Sequence, residues 1–371
     1  MTQAGEAGVA PLRVGLIGYG LGGRSFHAPL LISTEGISLV AIATSRVEQV
    51  RQDLPSVAAV ATAADLIGRD DVELVVISTP NASHFPLAMA ALEDDKAVVV
   101  DKPFTINLDE ARRLAAFAGD RHGFLSVFHN RRWDSDFLGV AQAIRGGTIG
   151  RVTHFESRID RFRPVVRDRW RERAGSEGGL WADLGPHLVD QAVCLFGLPR
   201  NVQANFATQR PGGQIEDWVH VVLDYGTLHV VLHIDSHAAG GTHRFVVHGD
   251  AGSLVKHLPD RQDQQVGEGL RPGHPEWGVD PDPLTHFRPD GTSANLQVPR
   301  GDHGQFYKAV RDALRAGRPN PVPSIQAVAV MAILDACAQS ARMKEAKSLD
   351  LTDHETEAAA AAIAGGAMRN V

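Results

Sequence analysis

The sequence predicts an α/β chain in two parts: a doubly wound parallel sheet, then an α+β domain with a large, mainly antiparallel open sheet. Three observations carry this. Over the first third, continuous apolar runs such as Leu74-Val75-Val76-Ile77 recur at intervals that leave room for one crossover helix each. Beyond Phe128 the runs shorten and alternate in part, as when one sheet face is packed and the other is open. Between the first apolar run and the first helix lies a glycine-rich turn, Gly18-Tyr19-Gly20-Leu21-Gly22-Gly23.

In order, strands are expected at 12–17, 38–43, 57–60 (the weakest), 74–78, 97–100 and 124–128, with a helix at 24–33. Asn107-Leu108-Asp109-Glu110 reads as a helix start, a capping residue followed by an acid three positions on. Further strands are expected at 151–163, 201–209, 218–225, 228–235 and 244–248, with a helix at 182–196 on one face. Residues 259–299, rich in Pro, Gly and Asp, read as a long irregular insertion, and 305–316 and 325–344 as helices. The domain reading is therefore a flexible tail at 1–11, a dinucleotide-binding domain at 12–128, a substrate-binding and oligomerisation domain at 129–350, and an Ala-rich tail at 351–371, a frayed helix or disordered after Asp353.

At 371 residues the chain suits two domains. Its net charge of −7 argues against nucleic acid as a partner. No apolar run is expected to approach the ~20 residues of a membrane span. Residues 1–11 carry no basic-then-apolar export pattern. The two cysteines, Cys194 and Cys337, both fall in expected helices, which fits a reducing cytoplasm rather than a disulfide framework. Among the 17 histidines, His229, His233, His237, His243 and His248 match no zinc spacing, so no metal is expected. The arginines at 158, 161, 163, 167, 169, 171 and 173 read mostly as a solvated face, one or two of them within reach of a cofactor or an acidic substrate.

The glycine turn fits G-x-G-x-x-G at a strand-to-helix junction. Gly18 permits the tight turn, Gly20 lets backbone approach a pyrophosphate, and Gly23 lets helix and strand pack closely, which makes this a Rossmann dinucleotide site. The second strand ends Thr44-Ser45-Arg46, with no acid to bind a ribose 2′-hydroxyl and an arginine able to pair with a 2′-phosphate. NADP is therefore favoured, with NAD as the alternative. The fifth strand runs into Asp101-Lys102-Pro103, at the carboxyl edge where ligands bind in such sheets, and a lysine there can stabilise charge on a substrate oxygen. Asp183 and His187 lie four apart on one helical face flanked by Leu180, Trp181, Leu184, Leu188 and Val189, so the histidine can act as a half-buried proton acceptor.

These three signals, in this order, resemble the glucose–fructose oxidoreductase / inositol dehydrogenase / rhizopine catabolism (Gfo/Idh/MocA) family over residues 12–350. Residues 18–29, Thr44-Ser45-Arg46, His129-Asn130-Arg131-Arg132-Trp133-Asp134 and 183–191 look like its NADP-dependent scyllo-inositol dehydrogenase branch. The resemblance implies that Lys102 is the catalytic lysine, Asp183 the substrate-binding aspartate and His187 the general base. It implies cofactor contacts from Gly18, Tyr19, Gly20, Leu21, Gly22, Ser78, Thr79, Pro80, Asn81, His84, Asp101, Lys102, Trp170 and Arg171, besides Thr44, Ser45 and Arg46. Substrate contacts are expected from Asn130, Arg131, Arg163, Asp183 and His187. The implied activity is oxidation of a ring hydroxyl of a cyclic polyol or sugar, in a homodimer or homotetramer built on the second sheet. A nicotinamide-dependent glycosidase and a non-catalytic regulator share this fold and stay open as alternatives. Two residues depart from the pattern: Asp101 stands where the family has Glu, and Phe162 where the branch commonly has tyrosine, which removes one potential substrate contact.

Overall fold

The computed structural model describes residues 10–168, 172–173 and 178–365. Six parallel strands form the first sheet: β1 (Leu12–Ile17), β2 (Ile37–Ala43), β3 (Ala58–Val60), β4 (Leu74–Ile77), β5 (Ala97–Val100) and β6 (Leu125–Val127), in the order β3-β2-β1-β4-β5-β6. Ile17 is in register with Ala43 on one side and Ile77 on the other, so the carboxyl ends of β1, β2 and β4 lie level. The strand order reverses between β1 and β4, which opens a crevice there. Val75, Val76, Val98 and Val99 are fully enclosed, as runs covered on both faces must be.

The crossovers are α1 (Ala28–Ser33), α2 (Val47–Asp53), α3 (Ala63–Ile67), α4 (His84–Glu93) and α5 (Leu108–Asp120). As expected, Asn107 caps α5, its side-chain oxygen accepting from Glu110 N at 2.8 Å. The helix expected at 24–33 is not uniform: a π-turn over Gly23–His27 precedes α1. The widened turn leaves His27 only 1% exposed, between the glycine turn and β5.

The second sheet has eight strands in the order β14-β13-β12-β11-β7-β10-β9-β8. They are β7 (Val152–Arg158), β8 (Asn201–Ala207), β9 (Trp218–Asp224), β10 (His229–Asp235), β11 (Phe245–Gly249), β12 (Gly252–Lys256), β13 (Leu284–Phe287) and β14 (Ser293–Leu296). Pairing is antiparallel except between β7 and β10. Val219, Val221 and Leu223 alternate inward from β9, facing α7 (Leu180–Phe196). Four more helices complete this half: α6 (Ser135–Arg145), α8 (Gln262–Gly267), α9 (Gly304–Ala316) and α10 (Ser324–Met343).

Three expectations are corrected and one, the tail, is narrowed to a helix. The stretch 259–299 is not an irregular insertion: it holds α8, β13 and β14, short elements whose exposed alternation carries little apolar signal. The strand expected over 151–163 ends at Arg158, and 159–163 continues only as extended chain bonded to the end of β10, with Ile159 N donating to His233 O and Arg161 N to Asp235 O. The Ala-rich tail forms α11 (Asp353–Gly365), anchored where Arg112 bonds Glu355 at 2.7 Å. Finally, α10 is long and apolar enough to cross a membrane by length and composition, but most of it is buried among α5, α7, α11 and β8. Residues 1–9 of the expected N-terminal tail lie outside the described residues.

Candidate active site

The crevice is built from the ends of β1, β2, β4, β5 and β6, the extended tail of β7 and one helix. At the end of β1, Gly18 has φ +101°, and a Cβ there would lie 2.1 Å from Ser78 O. A Cβ on Gly23 would lie 2.1 Å from Gly18 O, so the turn packs against the helix start as the motif requires. Gly20 has the opposite surroundings, with no atom within 4 Å of its would-be Cβ. Open space above a helix N-terminus fits a pyrophosphate. Leu21 is 75% exposed on the same turn, while Tyr19 is buried with its hydroxyl donating to Asp53 at 3.2 Å. Level with the turn, Thr44, Ser45 and Arg46 follow β2; Ser45 and Arg46 are exposed, and Thr44 Oγ1 accepts from Arg46 N. No carboxylate belongs to this segment.

Beyond β4, the Ser78-Thr79-Pro80-Asn81 loop is tied to the Asp101-Lys102-Pro103 turn beyond β5. His84 spans them, one ring nitrogen 3.0 Å from Thr79 O and the other 2.9 Å from Pro103 O. Ser78 donates to Asp101 at 3.2 Å, and Asp101 accepts from Lys102 N at 2.8 Å. The Lys102–Pro103 bond is cis. Asp101 also faces His27 Nε2 at 3.3 Å, and the other nitrogen of His27 lies 2.5 Å from the Tyr307 hydroxyl. Burial works against the Asp101 charge, but His27 and Lys102 beside it prevail and hold its carboxyl down to about 2. The shorter Asp101 thus still reaches its backbone partner.

Asp183 and His187 stand one turn apart on α7, as their spacing predicts. Lys102 Nζ crosses from the first sheet to this helix, donating to Asp183 O at 2.6 Å and Asp183 Oδ1 at 3.0 Å. His187 is 6% exposed, and its Nδ1 has no hydrogen-bond partner among the described residues. Burial first, then the charges of Lys102 and Arg131, push its pKa well below the usual imidazole range. At neutral pH it is an uncharged imidazole able to accept a proton.

Lys102, Asp183 and His187 line one cleft of about 410 Å³, together with Asn130, Arg131 and Arg163. Asn130 and Arg131 come from a 3₁₀ turn at Asn130–Trp133 after β6. That turn is latched from behind by Arg132, which pairs with Asp190 of α7 at 2.6 Å, both side chains 2% exposed, and also reaches Pro321 O and Gln326. Arg131 pairs with Asp134 and Asp263. Thr44, Ser45 and Arg46 lie outside the cleft, at the glycine-turn end of the crevice. Trp170 and Arg171 lie outside the described residues. Phe162 is 61% exposed and does not line the cleft, so its lack of a hydroxyl removes nothing there.

Sequence reasoning missed His27, Phe26, Phe128, Leu184 and Asp263, which also line the cleft. His27 follows the glycine turn closely enough to have been a candidate; Asp263 lies in the stretch read as an insertion and had no such signal. One buried group, Asp134, Asp260 and His303, has ligand-type atoms within 4.8 Å of one another. Its atoms already bond within the protein: Asp134 to His303 at 2.6 Å and to Arg131, Asp260 to Ser135 N and Gln262 N.

Residues 12–129 match the Gfo/Idh/MocA oxidoreductase family, NAD-binding Rossmann fold, and residues 141–349 its C-terminal alpha/beta domain. The chain is 46% identical over 335 residues to the uncharacterized oxidoreductase YdgJ of Escherichia coli, covering 89% of this chain and 96% of that protein. It is 33% identical over 351 residues to the scyllo-inositol 2-dehydrogenase (NADP(+)) IolW of Bacillus subtilis, covering 93% and 98%. A crystal structure from Klebsiella pneumoniae superposes with a TM-score of 0.91 at 47% identity, covering 96% of this chain and all of that one.

Proposed function

The chain belongs to the Gfo/Idh/MocA oxidoreductase family, and from that premise we propose that it is an NADP-dependent dehydrogenase of a cyclic polyol or sugar. The observation that carries the reading is the bond from Lys102 Nζ to Asp183, with His187 one turn further along the same cleft. When bound, the nicotinamide supplies the hydride acceptor. The chain's own residues hold it and handle the proton. The 18–22 turn receives the pyrophosphate, and Ser78, Thr79, Pro80, Asn81, His84 and Asp101 border the nicotinamide end. The Thr44 and Ser45 hydroxyls and the Arg46 guanidinium receive a 2′-phosphate, in keeping with the NADP named for the Bacillus relative.

His187 takes the proton of the reacting ring hydroxyl, and its lowered pKa keeps it ready for that role. Lys102 donates to the same oxygen and stabilises the negative charge that develops on it. Asp183, Asn130, Arg131 and Arg163 orient the ring. With the domain boundary placed at 128/129, Lys102 comes from the first domain and Asp183 and His187 from the second. The open sheet pairs with a second copy in a dimer or tetramer, and the two free cysteines suit the cytoplasm.

The test is to mix the protein with NADP or NAD and a panel of inositols and aldoses, following absorbance of the reduced nicotinamide. Sustained reduction with NADP supports the reading. Glycoside cleavage without net reduction would make it a glycosidase, and cofactor binding without turnover a regulator.

A further inference from the structure

The cleft holds more positive charge than its own carboxylates answer. Five cationic side chains line it: Lys102, Arg131, Arg161, Arg163 and Arg167. Lys102 is paired with Asp183, and Arg131 with Asp134 and Asp263. Asp101, the remaining acid of the lining, faces His27. For the guanidinium of Arg161 there is no ion pair or hydrogen bond among the described residues.

Its placement follows from the chain path. Residues 159–163 run extended beside the end of β10, where Arg161 N donates to Asp235 O at 2.8 Å and Arg163 N to Ser236 O at 2.7 Å. Alternation along extended chain sends Arg161 and Arg163 to the cleft and leaves Phe162 on the other side. Burial, then the neighbouring Arg163 and Arg131, push the Arg161 pKa down to about 10 and outweigh the opposing pull of Asp183 and Asp263, neither of which pairs with it directly. Arg161 also lines an adjoining cavity of about 510 Å³, which leaves room beyond a single ring. The backbone turn and Arg46 already receive the cofactor's phosphates, and Arg46 is no part of this lining.

We propose that Arg161 seats an anionic group of the substrate, a carboxylate or a phosphate on the sugar or polyol. The proposal rests on the dehydrogenase reading and narrows its substrate class. A planar guanidinium meets either anion through two parallel bonds, and one held apart from water gains most from it. The anion anchors the ring at a point away from the carbon that reacts at Lys102 and His187.

Four probes test it with the NADP complex of the full chain: glucose and myo-inositol as neutral compounds, glucuronate as carboxylate, and glucose 6-phosphate as phosphate. Both turnover and equilibrium binding are measured, for the native protein, Arg161→Met and Arg161→Lys. One anionic probe is expected to exceed the neutral ones in kcat/KM, and Arg161→Met to lower its kcat/KM roughly 30-fold or more. The neutral probes should change far less, and Arg161→Lys should recover part of the loss. The probe that wins names the anion.

Equal use of neutral and anionic probes, or an equal loss on both, overturns the proposal. So does a matching loss of NADP affinity in Arg161→Met, which would assign the residue to the cofactor. If no probe is oxidised, Arg161-dependent binding of an anionic probe upholds the seat while the dehydrogenase reading falls. Absence of that binding overturns the seat itself.

Discussion

The two sheets present their functional groups in different ways. In the parallel sheet, each group follows a strand: Gly18 after β1, Thr44 after β2, Ser78 after β4 and Asp101 after β5. Those strands are enclosed on both faces, so the only polar outlet is their carboxyl edge. In the second half, the groups come from a helix turn (Asp183, His187), a 3₁₀ turn (Asn130, Arg131) and an extended tail of β7 (Arg161, Arg163). Only the 3₁₀ turn follows a parallel strand, β6; the rest are gathered by side-chain latches and by backbone bonds to the end of β10. The first half thus builds a site by topology and the second by buried ion pairs and hydrogen bonds.

The largest effects should separate these contributions within the cleft. Replacing His187 with Ala removes the proton acceptor and should lower turnover by about 10²–10⁴-fold. Lys102→Met should lower it by about 10²–10³-fold, because the charge on the reacting oxygen loses its donor. In both variants NADPH binding, measured by fluorescence of the reduced nicotinamide, should stay close to that of the native protein. A large loss of binding would place the lysine with the topological half rather than the chemical one. Next comes the latch. Asp190→Ala leaves Arg132 charged and enclosed and should cost about 3–5 kcal/mol of stability in denaturant unfolding, since breaking a buried pair from one side is worse than removing both partners. The double change Arg132→Met with Asp190→Leu should recover much of that stability. If it does not, the pair's worth lies in its bonds to Pro321 and Gln326 as well.

This difference also explains what could be read from the sequence. The glycine turn, Asp101-Lys102 and the Asp183–His187 spacing were visible because short-range geometry fixes each of them. His27 was visible only as a neighbour of the glycine turn, since its inward aim depends on a π-turn that no residue pattern announces. Arg161 stood in a row of arginines of which one or two were expected to reach a ligand, and only the register with β10 decides which of them enter the cleft. Asp263 lay in a polar stretch where α8 is held by its buried Gln262 and Gln265, bonded to His303 N and Glu276 O, rather than by an apolar periodicity. The apolar character of α10 was underestimated because Gln326 and Asp335 interrupt its run, although its mean hydropathy over 18 residues is 1.4.

Smaller effects test the cofactor end. Arg46→Ala should raise the KM for NADP about 5–10-fold and leave that for NAD nearly unchanged, a modest change because the guanidinium is exposed and screened by salt. Equal changes for both would remove the phosphate contact from Arg46.

The finest comparison is in the pH profile, where the two halves meet on one atom. His187 lies in the second half, but after burial the next influence lowering its pKa is Lys102 of the first. A proton acceptor works only when unprotonated, so lowering its pKa moves the acid limb of kcat/KM for alcohol oxidation downward. The rate should therefore hold from pH 7 through 6.5 and fall only at more acidic pH, where a solvated histidine would already be half protonated at about 6.5. Arg131 exerts a like influence from the opposite wall of the cleft. Arg131→Gln removes that positive charge, which eases protonation and shifts the limb upward by less than about one pH unit, the smaller share of a displacement led by burial. A native limb at 6.5 or above would mean that His187 is not the acceptor. A limb that Arg131→Gln leaves in place would mean that burial and Lys102 set it without Arg131.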